Sequence, residues 1–296
     1  NDVLCFIKEM ILCPTICFSR ESFNVSTSGN SGICLICYYY FNNTILLIKY
    51  ILSITMNNDN RTPKDENNIN FGFKKVTNEE KRSLVDGVFS DVANKYDLMN
   101  DLMSFGVHRA WKDEFCNMIP NLDGKILDVA GGTGDIAFRI KSRAKKQNKN
   151  PHIIVCDINH DMLKICQAKA IDKNILNNLD LIVADAEKLP FADNSFDYYT
   201  VAFGVRNVLS IEKSLKEAYR VLKPTSKFLC LEFSQIQNEL MKPLYDFYSF
   251  NIIPNIGKYV TNNESAYRYL SESISVFPGQ EDFKTKIQEA NFVDVG

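Results

Sequence analysis

The residues best suited to ligand chemistry surround a glycine turn between two apolar patterns. Residues 125–140 read KILDVAGGTGDIAFRI, in which an apolar run meets Gly131, Gly132 and Gly134 and continues as an amphipathic pattern. Glycine lets a ligand approach the backbone, and the start of a helix offers unpaired N–H groups. The sequence therefore predicts a nucleotide-binding turn between a buried strand and a helix.

Two aspartates follow the next two apolar runs. Asp157 ends the apolar run within HIIVCDIN, and Asp185 with Ala186 lies just after LDLIVA. A carboxylate at Asp157 can accept hydrogen bonds from both ribose hydroxyls of a nucleoside, each worth roughly 1.5–3 kcal/mol. Because residues 132–137 also fit the pattern G-x-G-x-x-A, a dinucleotide site and a nicotinamide-dependent oxidoreductase are alternatives.

The elements that must position these residues are alternating strands and helices. A fourth apolar run, FDYYTVAFGV, ends just before Arg206 and Asn207. In a doubly wound parallel sheet, ligands bind outside the carboxyl ends of the strands, where all of these residues would meet. We therefore predict an α/β fold with a Rossmann-like sheet and helices on both faces.

The order of the motifs along the chain indicates a class of enzyme. DVAGGTG, CDIN, ADAEKLPF and FDYYTVAFG follow one another in a way that resembles the class I S-adenosylmethionine-dependent methyltransferases. The resemblance implies S-adenosylmethionine as the cofactor, with Thr133 contacting it in the glycine turn, Asp157 at the ribose, and Asp185 with Ala186 at the adenine. From its position, Asp128 is expected to order the loop near the amino acid end of the cofactor.

Two further stretches resemble the quinone C-methyltransferases of ubiquinone and menaquinone biosynthesis. YDLMNDLMSFGVHRAW (residues 96–111) fills every specified position of one signature, and RVLKPTSKFLCLEFS (residues 220–234) is similar to a second. The family has a glycine pair where this chain has Thr225 and Ser226, so we expect a changed turn there. The resemblance covers residues 71–296, and includes a helical extension before the sheet and a helical cap.

The resemblance implies methyl transfer to the ring carbon of a polyprenyl benzoquinol in ubiquinone biosynthesis. Arg206 would polarise the quinol oxygen or activate a water, with Asn207 orienting it, and His108 or Tyr96 would remove the ring proton. The structural alternatives are that Arg206 and Asn207 cap the following helix, and that His108 and Tyr96 are core residues. Methylation of demethylmenaquinone and a weakly catalytic scaffold in a quinone-synthesis complex are the alternative functions.

The substrate's isoprenoid tail requires an apolar groove. One aromatic and aliphatic stripe is a candidate for its lining, or alternatively belongs to a helix core; it comprises Tyr245, Phe247, Tyr248, Phe250, Ile252 and Ile253.

Composition argues against a nucleic-acid-binding protein and a metal-binding protein. The chain has 296 residues and a formal net charge of -2, without the basic stripe of a nucleic-acid-binding protein. His108, His152 and His160 show no metal-ligand spacing, so no metal site is predicted. Four cysteines lie in apolar runs and are predicted to be buried thiols; they are Cys116, Cys156, Cys166 and Cys230.

The first 70 residues differ from the rest. Residues 1–56 are rich in Cys, Ile, Tyr and Phe, and are predicted to be a leader, a membrane anchor or sequence upstream of a start at Met56. Ile33 to Ile54 is long enough for a membrane span. Residues 57–70 are polar and predicted to be a disordered linker, followed by the methyltransferase domain, 71–296.

The expected setting follows from the resemblance and from this extension. We expect peripheral association with the matrix side of the mitochondrial inner membrane, a homodimer, and membership of a quinone-biosynthesis complex. NFVDVG (residues 291–296) looks like the start of a sixth strand, and the closing antiparallel strand is expected to be missing.

Overall fold

The computed structural model describes residues 15–19, 69–93, 100–101, 104, 106–233, 242–261 and 264–296. The chain divides into two compact units, Asn1–Ser22 with Asn68–Gly296, and Phe23–Asn67, and every described element belongs to the first. Tyr96 and the predicted span Ile33 to Ile54 lie outside the described residues. Within the described ranges, no helix is long and apolar enough to cross a membrane.

Eight strands and nine α-helices are described. The strands are β1 (Thr15–Ser19), β2 (Ile69–Phe71), β3 (Lys74–Val76), β4 (Lys125–Val129), β5 (His152–Asp157), β6 (Leu179–Val183), β7 (Phe196–Ala202) and β8 (Leu222–Leu231). The helices are α1 (Asn78–Val92), α2 (His108–Asn117), α3 (Asp135–Lys146), α4 (His160–Asp172), α5 (Ile211–Val221), α6 (Lys242–Phe247), α7 (Ile253–Thr261), α8 (Glu264–Val276) and α9 (Gln280–Glu289). A 3₁₀ turn, Val205–Asn207, follows β7, and a π-helix, Tyr248–Ile252, joins α6 to α7.

The central sheet has the strand order β1-β8-β7-β4-β5-β6. The five strands from β8 to β6 are parallel. The connections run outward in both directions from β4, so a crevice opens between β4 and β7 at their carboxyl ends. This confirms the predicted α/β class with a Rossmann-like sheet.

The apolar runs of the sequence are continuous because both faces of the sheet are covered. Alternate residues of β4 enter two different cores: Ile126 packs in one, and Leu127 and Val129 pack in the other. The four cysteines predicted to be buried are buried free thiols. Burial raises the pKa of Cys116 and of Cys156 to about 12, so these thiols stay protonated and serve as packing groups.

Two elements near the ends of the sequence bear on the predicted boundaries. β1 pairs antiparallel with the outer edge of β8, from Thr15 opposite Leu231 to Ser19 opposite Lys227. Residues from the predicted leader therefore cover the edge at which a closing strand was expected to be missing. Residues 291–296, predicted to start a sixth strand, show only a single bridge position at Val293.

The change of turn expected at Thr225 and Ser226 stays a prediction, and both residues lie within β8. Thr225, where the resembling family has glycine, has a φ of +64°, which is the left-handed conformation that glycine adopts readily. The chain thus holds a β-branched residue in a left-handed backbone at this position, at a cost in strain.

Candidate cofactor and substrate site

A cavity of about 420 Å³ opens at the carboxyl ends of the parallel strands. Its size falls in the range of small-molecule and cofactor pockets. The loops after β4, β5, β6 and β7 form its floor, and α1 lies against them. The residues of α1 that line it are Arg82, Ser83, Val85, Asp86 and Phe89.

Asp157 lines this cavity beside the glycine turn, as predicted. Its Oδ2 accepts a hydrogen bond from the backbone N–H of Gly132 at 2.8 Å, and its Oδ1 accepts one from the N–H of Asn159 at 2.8 Å. Burial raises the pKa of Asp157 to about 6, although these two N–H groups oppose the shift. Gly132 itself has a φ of +52° and lines the cavity, so the turn brings backbone close to any ligand there.

Three predicted cofactor residues support the turn from behind rather than lining the cavity. Asp128 is fully buried and accepts a hydrogen bond from Thr200 Oγ1 at 2.9 Å, while burial raises its pKa to about 7. Thr133 is buried, and its hydroxyl accepts a hydrogen bond from Lys169 at 3.1 Å. Gly134 starts α3 with a φ of +83°, and a Cβ there would lie 2.4 Å from the Cys166 sulfur.

Asp185 and Ala186 line the cavity on the side of β6. Asp185 Oδ2 accepts a hydrogen bond from the Arg82 guanidinium at 2.7 Å, and its Oδ1 accepts one from the N–H of Glu187 at 2.9 Å. Glu187 in turn accepts hydrogen bonds from the N–H groups of Leu209 and Ser210, at 2.6 and 3.0 Å. The loops after β6 and β7 are thereby held together.

Helix α1 is held on these loops by polar contacts that sequence reasoning missed. The Lys81 ammonium donates a hydrogen bond to the Val208 carbonyl at 2.8 Å, and the Asn159 amide donates to Asp86 Oδ1 at 2.7 Å and to Ser90 Oγ at 2.9 Å. The local signal was the capping box of Thr77 and Glu80, which starts the helix. Nothing in the periodicity of α1 indicated which loops it would contact.

Two residues with left-handed backbones stand at the floor of the cavity. Ala130 follows β4 with a φ of +50°, and Phe203 follows β7 with a φ of +59°. Between them the chains come close, because a Cβ on Gly204 would lie 2.4 Å from the Cβ of Ala130. Such strained residues cluster at functional sites, where the surrounding structure holds them in place.

Asn207 lines the cavity, but Arg206 is not among the described residues that do. The Arg206 guanidinium donates hydrogen bonds to Glu232 Oε1 at 2.5 Å and to the Phe203 carbonyl at 2.6 Å. Its side chain is 2% exposed. The structure therefore places the arginine behind the wall of this cavity, and its predicted action on the substrate stays a prediction. Neither residue caps the next helix, since Ser210 caps α5.

Glu232 is the partner that the sequence did not assign. It lies just after β8, and its carboxylate accepts hydrogen bonds from the backbone N–H groups of Arg206 and Phe233 as well as from the guanidinium. The available signal was its place in RVLKPTSKFLCLEFS, which matched the resembling family at this glutamate.

His108 is buried at the start of α2 and is not among the described residues that line the cavity. Its Nδ1 lies 2.8 Å from Ser104 Oγ, which donates to the Asn100 carbonyl at 2.8 Å, so Nδ1 carries the proton. Burial and the Lys112 ammonium lower the pKa of His108 to about 4, although Asp101 opposes the shift. The imidazole is therefore neutral at neutral pH and a weak base. The second predicted base, Tyr96, lies outside the described residues.

The predicted tail-lining stripe divides into two sets. Tyr248 and Ile253 are buried in the core, whereas Phe247 and Ile252 are 56% and 39% exposed. Phe250 contacts Phe73 of the β2–β3 hairpin, with ring centroids 5.6 Å apart. The core interpretation therefore holds for one set, and the exposed set is available to a ligand.

Comparison with known proteins places these features in a family. A model of the ubiE/COQ5 methyltransferase family matches residues 74–296. The protein named ubiquinone/menaquinone biosynthesis C-methyltransferase UbiE from Rickettsia bellii (strain OSU 85-389) is 58% identical over 229 residues, 77% of this chain and 92% of that protein. The protein of the same name from Rickettsia akari is 57% identical over 230 residues, 78% of this chain and 93% of its own.

Solved structures are more distant. A Thermotoga maritima S-adenosylmethionine-dependent methyltransferase, described as a possible histamine N-methyltransferase, is 19% identical with a TM-score of 0.47, covering 69% of this chain and 79% of that one. A Haemonchus contortus phosphoethanolamine N-methyltransferase, solved with S-adenosylhomocysteine, is 20% identical with a TM-score of 0.42, covering 60% and 35%.

Proposed function

This chain belongs to the ubiE/COQ5 methyltransferase family, and from that premise we propose that it transfers a methyl group from S-adenosylmethionine to a ring carbon of a polyprenyl benzoquinol in ubiquinone biosynthesis. The observation that carries the proposal is the arrangement around the glycine turn. Asp157 ends β5 and Asn207 follows β7, the two strands that flank β4, and both residues line one cavity.

The cavity suits the nucleoside part of the proposed cofactor. Asp157 offers carboxylate oxygens to vicinal hydroxyls, and Gly132 leaves the turn without a side chain on the cavity wall. Asp185 and Ala186 provide an acceptor and a small apolar surface for a base. S-adenosylmethionine, when bound, supplies an electrophilic methyl group on a sulfonium.

The chain's own residues have the task of alignment and charge stabilisation. A quinol ring carbon becomes nucleophilic when a ring hydroxyl is ionised or strongly polarised, and a hydrogen-bond donor beside that oxygen stabilises the developing charge. Asn207 is placed for this role on the cavity wall. Arg206 acts indirectly, because its bonds to Glu232 and Phe203 fix the loop that carries Asn207. After transfer the ring carbon loses its proton to water, and the aromatic ring is restored.

The proposed substrate also fixes where the enzyme works. A polyprenyl tail is soluble only in a bilayer, so we propose that the enzyme meets its substrate at the membrane surface. The exposed residues Phe247 and Ile252 are our candidates for contact with the tail. The mitochondrial location, the homodimer and the quinone-biosynthesis complex stay predictions.

The test is a transfer assay on the full chain with S-adenosylmethionine labelled in its methyl group. Two acceptors are compared, a demethylated benzoquinol and demethylmenaquinol, each with a short isoprenoid tail and a reductant. Labelling of the ring carbon of the benzoquinol, with a higher kcat/KM than for demethylmenaquinol, supports the proposal. A higher kcat/KM for demethylmenaquinol would instead identify the menaquinone precursor as the substrate.

A matched binding experiment separates an enzyme from a scaffold. Calorimetry measures cofactor affinity for the wild type and for Asp157→Ala. Tight binding that requires Asp157, with no label in either acceptor, would contradict the proposal and favour a scaffold role.

A further inference from the structure

Tyr269, on the cap helix α8, contacts Asn207 at the wall of the cavity. Its hydroxyl donates a hydrogen bond to Asn207 Oδ1 at 3.0 Å. The tyrosine is 4% exposed, and its ring stacks on Phe71 with centroids 4.2 Å apart and an interplanar angle of 14°. Packing therefore fixes the phenol, so the asparagine must adjust to the tyrosine rather than the reverse.

The direction of this hydrogen bond determines the orientation of the amide. Burial and the nearby Glu232 carboxylate raise the pKa of Tyr269 well above its usual value, only partly opposed by Arg206, so the phenol keeps its proton. Tyr269 has no second hydrogen bond within the described part of the chain. A reversed amide would leave the buried phenol proton without an acceptor, which buried polar groups avoid.

The other half of the amide is left for a ligand. The bond from Tyr269 is the one side-chain hydrogen bond that Asn207 makes to described residues. Its Nδ2 is not among the buried polar atoms that lack a partner, so it is accessible. Since Asn207 lines the cavity, two N–H donors are available there.

We propose that Tyr269 is a positioning residue, which turns the Asn207 amide so that Nδ2 faces the cavity and donates a hydrogen bond to the ring oxygen of the acceptor. The inference rests on the proposed function and adds a specificity to it. The site selects a quinol substrate in which the oxygen beside the reacting carbon can accept a hydrogen bond. An ionised ring hydroxyl is the strongest acceptor of this kind, so the orientation favours the reactive form of the substrate.

The tyrosine also connects the reaction to distant parts of the chain. Phe71, which stacks on Tyr269, belongs to the β2–β3 hairpin, and the N–H of Phe73 in that hairpin donates a hydrogen bond to Glu272 of α8 at 3.2 Å. Hairpin, cap helix and Asn207 therefore form one contiguous set of contacts. The orientation of the amide depends on the assembly of all three.

The test replaces Tyr269 by Phe in the full chain, which removes the hydroxyl and keeps the ring on Phe71. We expect kcat to fall about tenfold or more, while the cofactor Kd stays within about twofold and KM changes less than kcat, because an interaction made mainly in the transition state is lost. Tyr267→Phe is the matched control, because Tyr267 is buried on the same helix and its hydroxyl is not bonded to Asn207. It should keep kcat within about twofold of the wild type.

A double-variant cycle distinguishes positioning from a general structural role. In an Asn207→Ala background there is no amide to orient, so adding Tyr269→Phe should change kcat by less than about twofold. If Tyr269→Phe lowers kcat equally in both backgrounds, or if Tyr267→Phe has the same effect, the inference is wrong.

A spectroscopic readout keeps the inference separate from the proposed function. The side-chain ¹⁵NH₂ signals of Asn207, assigned by their absence in Asn207→Ala, should shift or broaden in Tyr269→Phe, because the amide then populates both orientations. Unchanged signals overturn the role of Tyr269 whatever the activity. An inactive wild type with the expected spectral change instead contradicts only the proposed function.

Discussion

The guanidinium of Arg206 lies 2.5 Å from the carboxylate of Glu232, and their side chains are 2% and 4% exposed. Glu232 also accepts the backbone N–H of Arg206 at 3.2 Å, so the ion pair fixes both the side chain and the start of the 3₁₀ turn that carries Asn207. Arg206, which is predicted from the family to act directly on the substrate, thus holds in place the turn that carries its neighbour Asn207.

The pair predicts a large loss of stability when one member is removed. Glu232→Leu leaves the arginine charge buried without its counterion, and should lower the free energy of unfolding by about 3–5 kcal/mol. Urea denaturation measures the loss. The double variant Arg206→Met with Glu232→Leu buries no charge and should recover most of the stability, while methyl transfer stays low because the loop is no longer held. A double variant no more stable than Glu232→Leu would show that the two side chains are not coupled.

The raised pKa of Asp157 predicts that cofactor binding depends on pH. Its pKa is about 6 in the folded protein, so the carboxyl gains a proton as the pH falls through 6 and can no longer accept hydrogen bonds from both hydroxyls. The Kd for S-adenosylmethionine should increase below pH 6, approaching about tenfold per pH unit. Calorimetry between pH 5 and 8 measures this.

A neutral replacement provides the control for that titration. Asp157→Asn should bind the cofactor weakly and with little change across the same range, and the exposed Asp161→Asn should retain the wild-type profile. A wild-type affinity that is constant from pH 5 to 8 would rule out the titration of Asp157 as the cause.

The sequence indicated which residues would meet at the carboxyl edge of the sheet, because that follows from the strand ends, and missed the contacts set by side-chain direction. Asp157 and Asp185 could be predicted because parallel strands bring their carboxyl ends to one edge. Arg206 lies at the same edge, yet its direction depends on Glu232, 26 residues later, which no local pattern reveals. The contribution of α1 was equally hidden, because an amphipathic helix does not indicate which loops its polar residues contact.

The low pKa of His108 predicts that this residue reduces the stability of the fold as the pH falls. A buried acid with a raised pKa would have the opposite effect. The folded pKa of about 4 lies below the unfolded value near 6.5, so the unfolded chain binds the proton first as the pH falls. His108 should therefore reduce stability between pH 6.5 and 4, with a slope of at most about 1.4 kcal/mol per pH unit. His108→Asn retains a donor toward Ser104 without a titrating ring.

The difference between wild type and His108→Asn isolates this effect from other titrating groups. Urea unfolding at pH 7.5 and at pH 5.5 should show the wild type losing more stability than the variant on acidification. Equal losses would mean that the imidazole is not held neutral. A transfer assay on the same variant tests the predicted base, because a base that is essential to transfer would make His108→Asn inactive at both pH values.

The left-handed backbone at Thr225 predicts that a substitution to glycine stabilises the protein. A β-branched residue at a φ of +64° is strained, and Thr225 is exposed, so its side chain contributes little packing. Thr225→Gly should raise the free energy of unfolding by about 1 kcal/mol, after the larger unfolded-state entropy of glycine is subtracted. Thermal unfolding measures the shift, and Thr225→Ala, which keeps the Cβ, should gain much less. A destabilised glycine variant would indicate that the turn is not strained.

The exposed half of the aromatic stripe tests whether the tail contacts the cap. Phe247 and Ile252 are exposed, so their replacement by alanine should leave stability nearly unchanged, unlike changes at the buried Tyr248. If they contact the isoprenoid tail, Phe247→Ala with Ile252→Ala should raise KM for a long-tailed quinol about tenfold, and KM for a short-tailed analogue little, because only the long tail reaches them. Ile171→Ala, at an exposed apolar residue of α4, is the control for surface hydrophobicity alone. Equal increases of KM for both substrates would place the tail elsewhere, since a residue that contacts only the tail cannot affect an acceptor that lacks it.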